Sequence, residues 1–205
     1  WPCEVHHNYA ETNLGLKRRV SSGLDWVFGQ VERAIVLEDD CVPHPDFFTF
    51  CDALLECYAN DERVWVITGN NFQNGHQHGN AAYYFSKYNH CWGWATWRRA
   101  WSQYNGGLSF WPNWKNSTDW LEKTPDPVER RYWNAIFDQV YRGEIDSWAY
   151  PWTASVWHYD GLTATPNVNL VTNIGTGPDA THTVTGNDQE VIPVQPLGTL
   201  THPAR

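Results

Sequence analysis

The stretch "AIVLEDDCVPHPDFF" (Ala34 to Phe48) decides the reading of this chain, because an apolar run ends in three adjacent acids and a helix start follows. Arg33 to Leu37 reads as a short buried strand, and Pro45 with Asp46 can open a helix whose Phe47, Cys51, Leu54, Leu55 and Tyr58 share one apolar face. Asn60 and Asp61 end that helix, and "RVWVITG" (Arg63 to Gly69) supplies a second core strand. Upstream, Leu16, Val20, Leu24, Val27, Phe28 and Val31 recur at helical spacing, with Lys17, Arg18 and Arg19 in the first turns. Helix, strand, helix, strand predicts an α/β layer with a mostly parallel sheet flanked by helices.

Adjacent carboxylates repel, and burial adds to the cost unless a cation or several donors compensate. In an open α/β sheet, ligands collect at the carboxyl ends of strands, where Glu38, Asp39 and Asp40 lie. A divalent ion such as Mg²⁺ or Mn²⁺ takes oxygen ligands and keeps positions for phosphate oxygens, so this cluster is a candidate diphosphate site. The plainer reading is an exposed acidic turn in front of the helix at Pro45.

Beyond Gly69, "NNFQNGHQHGN" reads as a polar loop, "AAYYFS" as a strand, and "CWGWATWRRAW" as an aromatic segment in which Trp94, Trp97 and Trp101 fit one helix face. Asp126, Pro127 and Glu129 mark a helix that should run to about Arg142 and stop at Gly143. "YPWTASVWHYDG" suggests a further short helix, and the chain from Gly175 onward a loop-like tail.

The 205 residues fit one domain. A formal net charge of -9 disfavours nucleic acid or an anionic membrane as partner. The apolar runs fall far below the roughly 20 residues of a membrane span, and the first residues lack a signal pattern, so a cytoplasmic chain is expected. Five cysteines without CxxC spacing argue for reduced thiols. Fourteen tryptophans either fill a core or present faces on which sugar rings stack.

Three segments carry a resemblance in one order: "LKRRVSSGLDWVFGQVERAIVLEDDCVPHPDFF", "HCWGWATWRRAW" and "SWAYPWTASVWHYDGLTATPNVNLVTNIGTGPDATHT". Together they resemble N-acetylglucosaminyltransferase I and its bacterial relatives, which are GT-A nucleotide-sugar glycosyltransferases. The resemblance implies transfer of a sugar from a nucleoside diphosphate donor, a UDP-sugar favoured, to a glycan or other hydroxyl acceptor with inversion. Asp40 would bind Mn²⁺ or Mg²⁺, Glu38 and Asp39 would hold ribose or sugar hydroxyls, and His182 would approach the metal or diphosphate. Arg18 and Lys17 would neutralise phosphate, although a solvated helix face explains them equally well. Trp92, Gly93 and Trp94 would lie beside the sugar, with Trp92 the favoured platform and Trp97 and Trp101 in packing.

Two departures from the family pattern stand out. Relatives carry an acid in a Trp-Asp-Tyr-x-Trp pattern, whereas here the stretch is "WAYPW" with Ala149 in the acid's place. Either Asp146 substitutes as the base, its plainer role being a turn residue after Gly143, or the alignment is displaced, or the chain is inactive through natural loss or deliberate substitution, a noncatalytic carbohydrate-binding or pseudoenzyme domain of the same fold. The strand and helix that usually begin such domains and bind the nucleotide base would precede Trp1, so the domain is expected to be N-terminally incomplete.

Overall fold

A computed structural model describes residues 2–175 and 192–204. In chain order its elements are α1 (Leu16–Phe28), β1 (Arg33–Val36), β2 (Cys41–Pro43), α2 (Pro45–Cys57), β3 (Val64–Thr68), β4 (Tyr83–Ser86) and β5 (Trp94–Trp97). There follow α3 (Arg98–Trp101), α4 (Trp111–Trp114), α5 (Thr118–Lys123), α6 (Pro127–Tyr141), α7 (Ala149–His158), β6 (Leu162–Pro166) and β7 (Val171–Asn173). The α/β class is as the sequence predicts, and α6 begins on Asp126, whose side chain accepts from the Val128 backbone N–H.

The sheet is mixed rather than mostly parallel. Its order is β1-β5-β3-β6-β4, and only β3 and β6 pair in parallel. The reason lies in the aromatic segment, which forms a strand where a helix was expected and inserts antiparallel between β1 and β3. Because β1 and β3 both run against β5, they share a direction without touching, and their carboxyl ends open on the same side as that of β6. A second, two-stranded sheet pairs β2 with β7.

β5 also explains the tryptophans. Side chains alternate across a strand, so Trp94 enters the core formed with α1, α6 and α7, while Ala95 and Trp97 enter the core formed with α2. β3 serves the same two cores, with Val64 and Ile67 on the α2 side and Trp65 and Val66 both on the other. An irregularity in the β3–β6 register between Val64 and Val66 lets two successive side chains share a face. Ten of the fourteen tryptophans are buried, so most of this unusual composition is packing. Several also anchor polar contacts, as when the Trp101 indole N–H donates to Asp25 at 2.8 Å and that of Trp111 to Asp138 at 2.9 Å.

Candidate functional site

β1 runs into a tight turn in which the Cys41 N–H donates to the Glu38 carbonyl at 3.1 Å. The turn leaves Asp39 exposed and Glu38 and Asp40 half-buried. β7 holds its far side, the Ile174 N–H donating to the Asp40 carbonyl at 2.9 Å. Gly175 then passes so close that a Cβ there would stand 2.3 Å from Asp40 Oδ2. Only a glycine lets the backbone lie against that carboxylate.

Cys41 and Cys91 report on the field of the acids. Burial pushes the Cys41 thiol up to about 11, with the neighbouring Asp40 and Glu38 charges adding to the shift. Burial likewise pushes Cys91 up to about 12, and the charges of Glu38 and Asp40 again contribute. Both thiols are therefore protonated at neutral pH, and the loop entering β5 lies beside the acidic turn.

That loop is fixed by amides. Asn70, buried at the carboxyl end of β3, accepts the Trp92 N–H on Oδ1 at 3.1 Å and donates from Nδ2 to the Val171 carbonyl at 3.1 Å. The Gly69 N–H donates to the Gly93 carbonyl at 2.8 Å. One buried amide thus ties β3, the loop before β5, and β7 into a single frame behind the acids.

Two concavities flank the frame. A groove of about 360 Å³ on the α1 side is lined by Asn8, Arg19, Val20, Trp26, Leu37 and Glu38, among others. Its cation is Arg19, whose guanidinium donates to Asn8 Oδ1 at 2.8 Å; Arg18 is exposed and does not line it. On the other side, a cavity of about 240 Å³ is lined by Asn89, His90, Trp92, Trp133, Ala149 and Tyr150 with neighbours that include Asn70. It is slightly smaller than most ligand pockets, which run about 300–1,000 Å³.

The predicted residues fall in different places. Glu38, Asp39, Asp40 and Trp92 surround the frame, with Trp92 half-buried and edge-on to Phe72 at 5.4 Å between centroids. Trp94 is a correction: it is buried, stacked on Trp148 at 5.5 Å and flanked by Trp101 and Trp152, so no ring face is open to a sugar. Gly93 is needed, but for packing; its φ is 74°, and a Cβ would lie 2.7 Å from Val171 Cγ2. His182 lies outside the described residues.

Asp146 is neither a simple turn residue nor placed in this cavity's lining. Its carboxylate accepts from the backbone N–H groups of Leu16 and Lys17, at 3.1 and 3.3 Å, and so caps α1 from 130 positions away. The adjoining Gly15 has φ 74° and offers no side chain of its own, which leaves the cap to Asp146. Ala149 opens α7 and lines the cavity, at the helix end that favours negative charge.

Asn70, Arg19 and His90 line the two concavities and were not singled out from the sequence. Asn70 follows a buried strand directly, the position where an open sheet gathers ligands, and His90 adjoins the Cys-Trp-Gly run. Among the described residues no group of three or more His, Cys, Asp or Glu side chains is arranged to hold a metal ion, and none of the helices is long and apolar enough to cross a membrane. No protein-family model matches this chain, and no curated protein is significantly similar to it.

Proposed function

We propose that this chain is a metal-dependent glycosyltransferase domain of GT-A type, moving a sugar from a nucleoside diphosphate donor, a UDP-sugar favoured, to a hydroxyl acceptor with inversion. The observation that carries the reading is the acidic turn at the carboxyl end of β1, flanked by a groove on one side and an aromatic cavity on the other. Asp40 would offer Mn²⁺ or Mg²⁺ a single hard, half-buried carboxylate, and such ions commonly take their remaining ligands from phosphates and water. Bound there, the ion would supply Lewis acidity to the departing diphosphate.

The chain's own residues would do the rest. Glu38, which lines the groove, would accept hydrogen bonds from ribose or sugar hydroxyls. Arg19 supplies positive charge at that groove. Trp92 and Trp133 wall the cavity with indole surface that suits the C–H face of a sugar ring.

A noncatalytic sugar-binding domain is the second reading, favoured by Ala149 in the cavity wall and by Asp146 being occupied as a helix cap. Nucleotide release from UDP-sugars, measured with Mn²⁺ or EDTA and with or without an acceptor glycan, separates the two. Release that requires both metal and acceptor supports the transferase. Sugar binding that persists in EDTA and in Asp40→Asn, with no release, supports the binding domain.

A further inference from the structure

The cavity contains a base that the sequence pattern does not assign. His90 arrives in it from the loop between β4 and β5, and Ala149 from the first turn of α7. The other lining side chains are amides, indoles, a thiol, a phenol, an aliphatic hydroxyl, a phenyl ring and the Ala149 methyl. At neutral pH none of these is a free base: the Cys91 thiol is pushed up to about 12, and burial raises the Tyr150 phenol as well. Burial lowers the His90 imidazole to about 4, so its ring is unprotonated at neutral pH and is the lining group that offers a free nitrogen lone pair, as a weak base.

Its setting fixes the ring. The His90 imidazole packs edge-on to Phe72 at 4.7 Å between centroids, and the His90 carbonyl accepts from Thr68 Oγ1 at 3.3 Å, at the end of β3. Phe72 also packs on Trp92, so base and sugar platform share one aromatic support. Next to His90, the buried Asn89 Oδ1 has no hydrogen-bond partner among the described residues, an orphaned acceptor beside the cavity. Buried polar atoms are normally satisfied, so this oxygen would gain from a donor that entered the cavity.

We propose that His90 is the proton acceptor of the transfer, serving the acceptor hydroxyl from the cavity that Ala149 also lines. The proposal rests on the transferase reading above. As the acceptor oxygen bonds to the anomeric carbon, its proton passes to the unprotonated ring nitrogen of His90. The bond from that carbon to the diphosphate oxygen breaks, and its electron pair leaves with the nucleoside diphosphate. The imidazolium then returns its proton to water.

The test compares wild type, His90→Gln, His90→Asn, and each combined with Ala149→Asp. Two quantities are read: UDP affinity in Mn²⁺ by calorimetry, and UDP release from a panel of UDP-sugars in Mn²⁺, with a panel of glycan and simple alcohol acceptors and with water alone. In the expected result, both His90 variants bind UDP within about twofold of wild type while release falls about 10²- to 10⁴-fold, the usual range for a lost general base. Adding Ala149→Asp should recover at least tenfold, because a carboxylate then faces the same cavity. Wild-type release rates in both His90 variants would overturn the proposal, as would failure of Ala149→Asp to recover any release. Equal losses of affinity and release would place His90 in packing alone. Wild type that binds UDP but releases none would reject the base and leave the sugar-binding domain; wild type that does not bind UDP at all would reject the transferase reading itself.

Discussion

Replacing Asp146 with alanine separates a helix cap from a catalytic base. The carboxylate accepts from two backbone N–H groups at the start of α1, and Gly15 at the cap position contributes no side-chain hydrogen bond. Loss of a capping side chain costs about 0.5–2 kcal/mol, and loss of a negative charge at a helix N-terminus about 0.3–1 kcal/mol more. α1 places Leu24 and Phe28 in the core, so fraying its first turn should be felt in global stability. We expect Asp146→Ala to lose about 1–2.5 kcal/mol, lowering the urea midpoint at unchanged m and the Tm by about 2–4 °C for each kcal/mol at this chain length. Asp146→Asn should lose less, since an amide oxygen still accepts one N–H and only the charge is gone. Nucleotide release at a temperature where both variants are folded should stay within about threefold of wild type. An Asp146→Ala protein with an unchanged urea midpoint and release reduced a hundredfold would refute the cap and restore Asp146 as the base.

Other consequences follow from the same contacts. Burial lowers the His90 pKa to about 4 from an ordinary 6.5, so as pH falls the unfolded chain takes up this proton first. The corresponding stability is fully present above about pH 6.5 and is lost toward pH 4, at most about 3 kcal/mol at 1.36 kcal/mol per unit. Urea midpoints at pH 7 and pH 5 should therefore differ more in wild type than in His90→Gln, and equal differences would contradict the burial. Gly93→Ala meets Val171 Cγ2 at 2.7 Å in a left-handed conformation and should cost about 2 kcal/mol or more in urea unfolding. Trp94→Ala should cost about 3–5 kcal/mol as a core truncation, whereas Trp92→Ala should cost less stability and weaken sugar binding measured by calorimetry.

Local elements were legible where a local rule fixes them. Apolar periodicity marks α1, and Asp126 with Pro127 marks α6, because caps and amphipathic faces are encoded within a few residues. The direction of the sheet was not legible, since it depends on β5 sliding between two strands joined through α2. Trp94, Trp97 and Trp101 satisfy a helical spacing and a strand-then-turn equally well, and burial on both faces of β5 decided for the strand. The acidic turn itself was readable, because three polar residues directly after an apolar strand mark where the strand must end. Asp146 was not readable as a cap, because its partners lie 130 and 129 positions away. Asn70 and His90 gain their places only when β3, the loop before β5, and α7 come together. Arg19 rather than Arg18 faces the groove for a similar reason: neighbouring helix positions differ by about 100° in direction, and only the packed structure sets which one turns inward.

On the proposed function, the acidic turn holds a metal and a diphosphate donor. Calorimetric titration of UDP and UDP-N-acetylglucosamine, in Mn²⁺ and in EDTA, with wild type and Asp40→Asn, tests it most directly. Binding in Mn²⁺ should disappear in EDTA and fall at least tenfold in Asp40→Asn, with the urea midpoint of the variant unchanged or raised. Binding of equal strength in EDTA, or in Asp40→Asn, would contradict it, as would no binding of either ligand to the wild type.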